Sequence, residues 1–214
     1  MADIKEKQRK RYSPEVRRSM LLDEASTIVV NEGISGLTLE RIARQAGVSK
    51  SLLYNYFDGV TELLRELHQR ELKHLRTAQI KAAEQATTLE EMVRGLTRAY
   101  LLFIEERGLI VERLQAEPSV SKGPDPTYYS REAAVEYFAE LTAKFFSMPT
   151  DLARVITEVS FGLPASAGEY LLRSNMDRQQ LEDITVSMIL GSILGARNDY
   201  FSSVKKMDKS AGRL

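Results

Sequence analysis

The sequence has no cysteine and no tryptophan, and only two histidines and six prolines. Without thiols there are no disulfides, thiolate metal sites or cysteine nucleophiles. The two histidines, His68 and His74, face roughly opposite sides of a helix and make poor joint metal ligands. No apolar run approaches the ~20 residues that cross a bilayer. The opening MADIKEKQRKRY carries charge but no apolar stretch, unlike a secretory signal. No G-x-S-x-G, P-loop or dinucleotide fingerprint occurs. These absences lead us to expect a cytoplasmic protein, neither enzyme nor membrane-bound, with no metal or cofactor.

What is present suits a helical globule. The 214 residues are 43% hydrophobic and 28% charged, enough for a sizeable core. Net charge is zero but unevenly spread. Residues 1–57 hold ten Lys/Arg against seven Asp/Glu, leaving an acidic remainder. A basic head on an acidic body is the asymmetry expected when one end meets phosphate.

Apolar positions recur at helical period, and no alternating run reads as a strand, so the fold class is all-α. Ser13-Pro14-Glu15 starts a helix that buries Met20, Leu21, Ala25, Ile28 and Val29 and stops at Gly33. Thr38 caps a short helix over 39–46, Gly47-Val48 turns the chain, and Ser49 caps another over 50–57. After Asp58-Gly59 a longer helix begins at Val60. Further helices are expected over 89–106, 109–116, 128–146, 151–173 and 181–203. Gly162 and Pro164 should kink or break the fourth of these, and the proline-containing stretch 117–127 should be irregular.

The segment TLERIARQAGVSKSLLYNYF, residues 38–57, has the form of a helix-turn-helix. Ile42 and Ala43 face inward, Gly47 supplies a conformation that a Cβ penalises, and Leu53 and Phe57 anchor the second helix. Lys50, Ser51, Leu52, Tyr54, Asn55 and Tyr56 are left partly or wholly outward. The stretch resembles the TetR family of bacterial regulators in Thr38, Ile42-Ala43, Ala46-Gly47-Val48-Ser49, Leu53-Tyr54 and Tyr56-Phe57. The link Gly33-Ile34-Ser35-Gly36-Leu37 also matches, and the close resemblance spans residues 14–74.

That resemblance implies a role for each position. Thr38 and the backbone at the start of its helix should contact phosphate, and Ser49 at the next cap is also expected at the DNA. Lys50, Ser51 and Leu52 take the base-facing positions, Tyr54 and Tyr56 contact phosphate, and Asn55 lies between. One departure is Val60, where the family commonly has a phosphate-gripping lysine. The arm, residues 1–13, either tracks DNA or is a solubilising tail. Residues 14–62 then form the DNA-binding domain.

The resemblance further implies that residues 63–214 form a helical domain that binds an effector and dimerises through the last two long helices. On the last helix, Leu181, Ile184, Thr185, Met188, Ile189, Ser192 and Ile193 lie near one side. Tyr100, Phe103, Ile104, Leu114, Gln115, Tyr128 and Phe138 are the candidate effector lining. The expected partners are an operator in double-stranded DNA, a second copy of the chain and a small molecule that releases a repressor, activation being the alternative. A DNA-binding structural protein without effector is the competing reading.

Overall fold

In the computed structural model, residues 12–121 and 126–211 are described, with the helical backbone alone for 121 and 126–131 and for 204–211. The fold is all-helical, as expected. Among the described residues ten α-helices follow in order: α1 Pro14–Glu32, α2 Leu39–Gln45, α3 Lys50–Tyr54, α4 Val60–Gln85, α5 Leu89–Ala116, α6 Pro118–Ser121, α7 Pro126–Phe146, α8 Thr150–Ser160, α9 Gly162–Arg173 and α10 Arg178–Ala211. No described helix is long and apolar enough to cross a membrane.

Local chemistry sets the first elements. The Ser13 hydroxyl accepts the Val16 N–H at 3.3 Å, with Pro14 in the first turn. Gly33 ends α1 at φ +80°, in the left-handed region that favours glycine. Leu21, Leu22, Ala25, Ile28 and Val29 form the buried face of α1. Met20, expected inside, is 36% exposed because it stands at the edge of that face.

The first core joins α1, α2 and α3 to Leu63, Leu64 and Leu67 of α4. It also takes in Phe103, Ile110 and Leu114 of α5. The same α4 therefore runs from the N-terminal helices into the body. Arg113 of α5 donates to the Val29 and Val30 carbonyls at the end of α1, the first of which also accepts the Gly33 N–H at 3.1 Å.

In the body, α4 and α5 form the central hairpin, and α7 to α10 complete the bundle. A Thr88–Glu91 capping box starts α5. The break expected between residues 106 and 109 does not occur, and α5 continues through Gly108. A Cβ at Gly108 would meet Leu172 Cδ1 at 3.2 Å, so the bare backbone lets α9 seat closely and offsets glycine's poor helix propensity. A break does fall at Phe161, between α8 and α9, with Pro164 in the first turn of α9. The stretch 117–127, expected to be irregular, contains α6 and the start of α7, and its residues 122–125 lie outside the described residues.

Among the described residues two carboxylates are fully buried. Glu71 accepts a two-pronged pair from Arg107 at 2.9 and 3.1 Å. Arg70 reaches Glu71 at 3.4 Å and Asp23 of α1 at 2.7 Å. Glu182 takes Arg98 at 2.9 Å and Arg178 at 3.3 Å. These clamps tie α1, α4 and α5 together, and α5 to α10. Removing one partner of such a pair is costly.

Candidate nucleic-acid interface and effector cavity

The turn between α2 and α3 is built as its residue types require. Thr38 Oγ1 accepts the Arg41 N–H at 3.2 Å and starts α2. Gly47 adopts φ +64°, and the Val48 N–H closes on the Ala43 carbonyl at 2.9 Å. Ser49 Oγ accepts the Leu52 N–H at 3.2 Å and lies 3.1 Å from Ser51 Oγ. In both caps the hydroxyl acts as acceptor, so its proton remains able to donate outward. Leu53 and Phe57 are buried beneath, as expected.

The helix proper ends at Tyr54, and the chain turns tightly through Asn55 to Phe57. Lys50, Ser51 and Asn55 are exposed, Leu52 is half-buried, and Tyr54 is 45% exposed. Tyr56 is half-buried and packs against the first core. These side chains form one outer surface with Thr38 and Ser49, both exposed.

Charge on this surface is paired internally. Lys50 Nζ contacts Glu40 Oε1 and stands 5.7 Å from the centroid of the Tyr54 ring. The hydrogen bond to Lys50 holds the Glu40 carboxyl below the usual range, and Glu40 raises the Lys50 ammonium. Arg41 pairs with Glu32, and Arg18 forks onto Glu66. Val60 is half-buried against the first core, and Glu62 Oε2 accepts the Asp58 N–H at 2.6 Å. The start of α4 thus carries an apolar Val60 where a lysine is common in the family it resembles, with the Glu62 carboxylate two residues on. Residues 1–11, which include the basic run, lie outside the described residues.

Residues 21–67 match the family model described as "Bacterial regulatory proteins, tetR family". These residues are a TetR-family helix-turn-helix region, the reading element of DNA-binding transcription regulators. Among TetR-family relatives, the HTH-type transcriptional activator FasR of Mycolicibacterium smegmatis is 26% identical over 184 residues, 83% of each chain. The regulator BetI of Rhizobium meliloti is 36% identical over 83 residues, 39% of this chain and 41% of that one. A Rhodococcus protein of unknown function shares the fold at TM-score 0.72 and 19% identity, over 89% of this chain and 98% of that one. The fatty acid degradation regulator FadR of Bacillus halodurans shares it at 0.65 and 19%, over 85% and 97%.

The body of the chain holds an apolar cavity of about 280 Å³. Its wall gathers Leu72 and Leu75 of α4, Leu96 and Tyr100 of α5, Phe138 of α7 and Ile193 of α10, with Phe161 between α8 and α9. Of the expected lining, Tyr100 and Phe138 are found here. Burial, then the charge of Glu169, pushes the Tyr100 phenol above its ordinary value, keeping it a neutral hydroxyl. A Cβ at Gly168 would lie 2.9 Å from Tyr100 Cε1, so Gly168 makes room for this ring.

The other expected lining residues are placed elsewhere. Phe103 and Leu114 belong to the first core, Ile104 packs against that core, and Gln115 is exposed. Phe103 also borders a second, more polar groove of about 510 Å³ with His74, Glu106 and Arg107. The Tyr128 side chain lies outside the described residues. The wall residues missed include Arg76, Met92, Leu96, Thr97, Thr157 and Phe161. Counting back from Tyr100 in steps of four gives Leu96 and Met92, a signal present in the sequence.

The apolar stripe of α10 divides into two faces. Leu181, Thr185, Ile189 and Ile193 are buried within the chain. Ile184 and Met188 are exposed, as are Val155, Val159 and Tyr170 on α8 and α9. Val159 is 73% exposed and Met188 54%.

Proposed function

We propose that the chain binds an operator as a homodimer and is released from it by a small molecule held in the apolar cavity. The observation that carries this reading is that α4 serves both regions. Its first two turns build the core beneath the reading surface, and Leu72 and Leu75 wall the cavity. A ligand that spreads the cavity wall displaces the helix on which the reader is seated.

In this reading residues 14–62 are the DNA-binding domain and 63–214 the effector and dimer domain. Lys50, Ser51, Leu52 and Asn55 face the bases, while Thr38, Ser49, Tyr54 and Tyr56 face phosphate. The exposed apolar side chains of α8, α9 and α10 supply the dimer face. Large residues left this open to water mark an interaction surface. The dimer spaces its two reading helices for successive major grooves, about 34 Å apart. The ligand favours a spacing that no longer fits. By default the regulator represses. The match to FasR, an activator across 83% of both chains, favours a second reading in which bound protein recruits transcription.

Footprinting on DNA flanking its own gene, with wild type and Met188→Arg, tests the assembly. A two-fold symmetric footprint is expected for wild type. Met188→Arg is expected to sediment as a monomer and to bind at least about tenfold more weakly. A symmetric footprint from a monomeric variant would refute the dimer reading.

A further inference from the structure

The cavity wall is apolar with one cation. Leu72, Leu75, Arg76 and Gln79 stand on one face of α4 and turn it toward the cavity. Among the described lining residues Arg76 is the sole charged side chain, and no carboxylate accompanies it.

Most other described arginines are engaged by a carboxylate or a carbonyl, Arg17, Arg44 and Arg197 being further exceptions that do not line this cavity. Arg18, Arg70, Arg98, Arg107 and Arg178 each meet a carboxylate, and Arg113 meets two carbonyls. Arg76 meets neither among the described residues. A guanidinium beside an apolar wall is costly without an acceptor, and a planar carboxylate satisfies its fork geometry.

The hydroxyls on the wall add a second, independent observation. Helical threonines elsewhere return their proton to the carbonyl four residues back: Thr185 to Leu181 at 2.7 Å, Thr27 to Asp23 at 3.0 Å and Thr77 to Lys73 at 2.9 Å. Thr97 on α5 and Thr157 on α8 do not, and their buried Oγ1 atoms have no hydrogen-bond partner. Thr97 is 1% exposed. Turning χ1 to the next staggered well exchanges hydroxyl for methyl and presents the donor elsewhere. With Tyr100 and Gln79, the polar part of this wall is rich in donors and holds no carboxylate.

We propose that the effector is an amphiphilic monoanion, a carboxylate on an apolar body, with its head at Arg76 and its body against Phe138, Phe161, Ile189 and Ile193. This rests on the ligand-responsive reading above and names the chemistry of that site.

Calorimetric titration of the full-length protein with decanoate, 1-decanol and decylammonium tests it, each probe also being added to the protein–operator complex. Decanoate is expected to bind at least about tenfold more tightly than the other two and to release the DNA. Arg76→Met should bring decanoate down to the level of decanol without changing decanol. Arg76→Lys, which restores a cation, should keep most of the preference. Decanol binding as tightly as decanoate and releasing DNA would overturn the anion assignment while leaving the ligand-responsive reading intact. A preference for decanoate that survives in Arg76→Met would equally overturn it. If no probe binds and the operator complex is unaffected, the ligand-responsive reading falls together with the anion assignment.

Discussion

The two ends of this molecule are packed by different rules. Around the helix-turn-helix, Leu53, Phe57, Leu63 and Leu67 are completely or almost completely enclosed, and most polar side chains, Ser26 excepted, lie outside or cap helices. The body has buried Glu71 and Glu182, two hydroxyls without partners, and a cavity. A filled interior defines one conformation, because every displacement opens a void. A hollow interior with polar groups in reserve leaves room for a second arrangement. Holding a reading surface rigid and responding to a molecule are opposed demands, and the chain meets them in separate regions joined by α4.

That contrast is most open to challenge by truncation. Leu53→Ala removes a fully buried side chain from the filled region and is expected to cost about 2–5 kcal/mol and to abolish operator binding. Leu96→Ala, at the cavity wall, enlarges existing space and should stay near the lower end, about 2 kcal/mol. Chemical denaturation measures both. Equal costs at the two sites would mean that the body is packed as fully as the reader.

A smaller effect is expected from Gly168→Ala. The new methyl meets the Tyr100 ring at 2.9 Å and Ile104 at 3.1 Å, so the ring must shift. Overpacking of this kind costs about 1–3 kcal/mol, less where neighbouring space accepts the displaced group. A loss near about 1 kcal/mol, read from the melting curve, would place the slack on the cavity side of Tyr100. A loss near about 3 kcal/mol would show a rigid wall.

The smallest change in stability, and a gain in binding, is expected from Glu40→Gln. It removes an exposed pair, so stability should hardly change. Lys50 is then released to the DNA, and operator affinity should rise a few-fold at low salt and less at high salt. Because Lys50 depresses the Glu40 carboxyl, the pair forms above the ordinary carboxylate range and is lost only as pH falls through the lowered value. The gain should therefore be flat between about pH 6 and pH 8. Fluorescence anisotropy with labelled operator measures it, and unchanged affinity would show that Lys50 is not restrained by Glu40.

The same contrast explains what could be read from sequence. Ser13, Thr38 and Ser49 cap their helices, and Gly33 and Gly47 take positive φ, because each role depends on a few neighbouring residues. The cavity depends on six helices brought together across more than a hundred residues, which no local pattern records. Phe103 and Leu114 have the right composition for a ligand wall, but they lie on the side of α5 that faces the reader. Tyr100 lies on the other side, with Leu96 and Met92 a turn and two turns before it. Gly108 appeared to end a helix because its propensity is poor, yet the approach of Leu172 gives the bare backbone a use. On α10 one apolar stripe served two faces, and only three-dimensional packing divides Ile189 from Met188.

The bond from Arg113 to the end of α1 bears on protein engineering. Regulators of this architecture invite the grafting of one reader onto another sensor. Here the first helix has its Val29 and Val30 carbonyls held from α5, and Ile110 and Leu114 close the core beneath it. A hybrid joined near residue 62 inherits the reading surface without these supports. To keep it folded, the recipient sensor must offer a cation and an apolar floor at the same places, so compatibility at this seam decides which hybrids work.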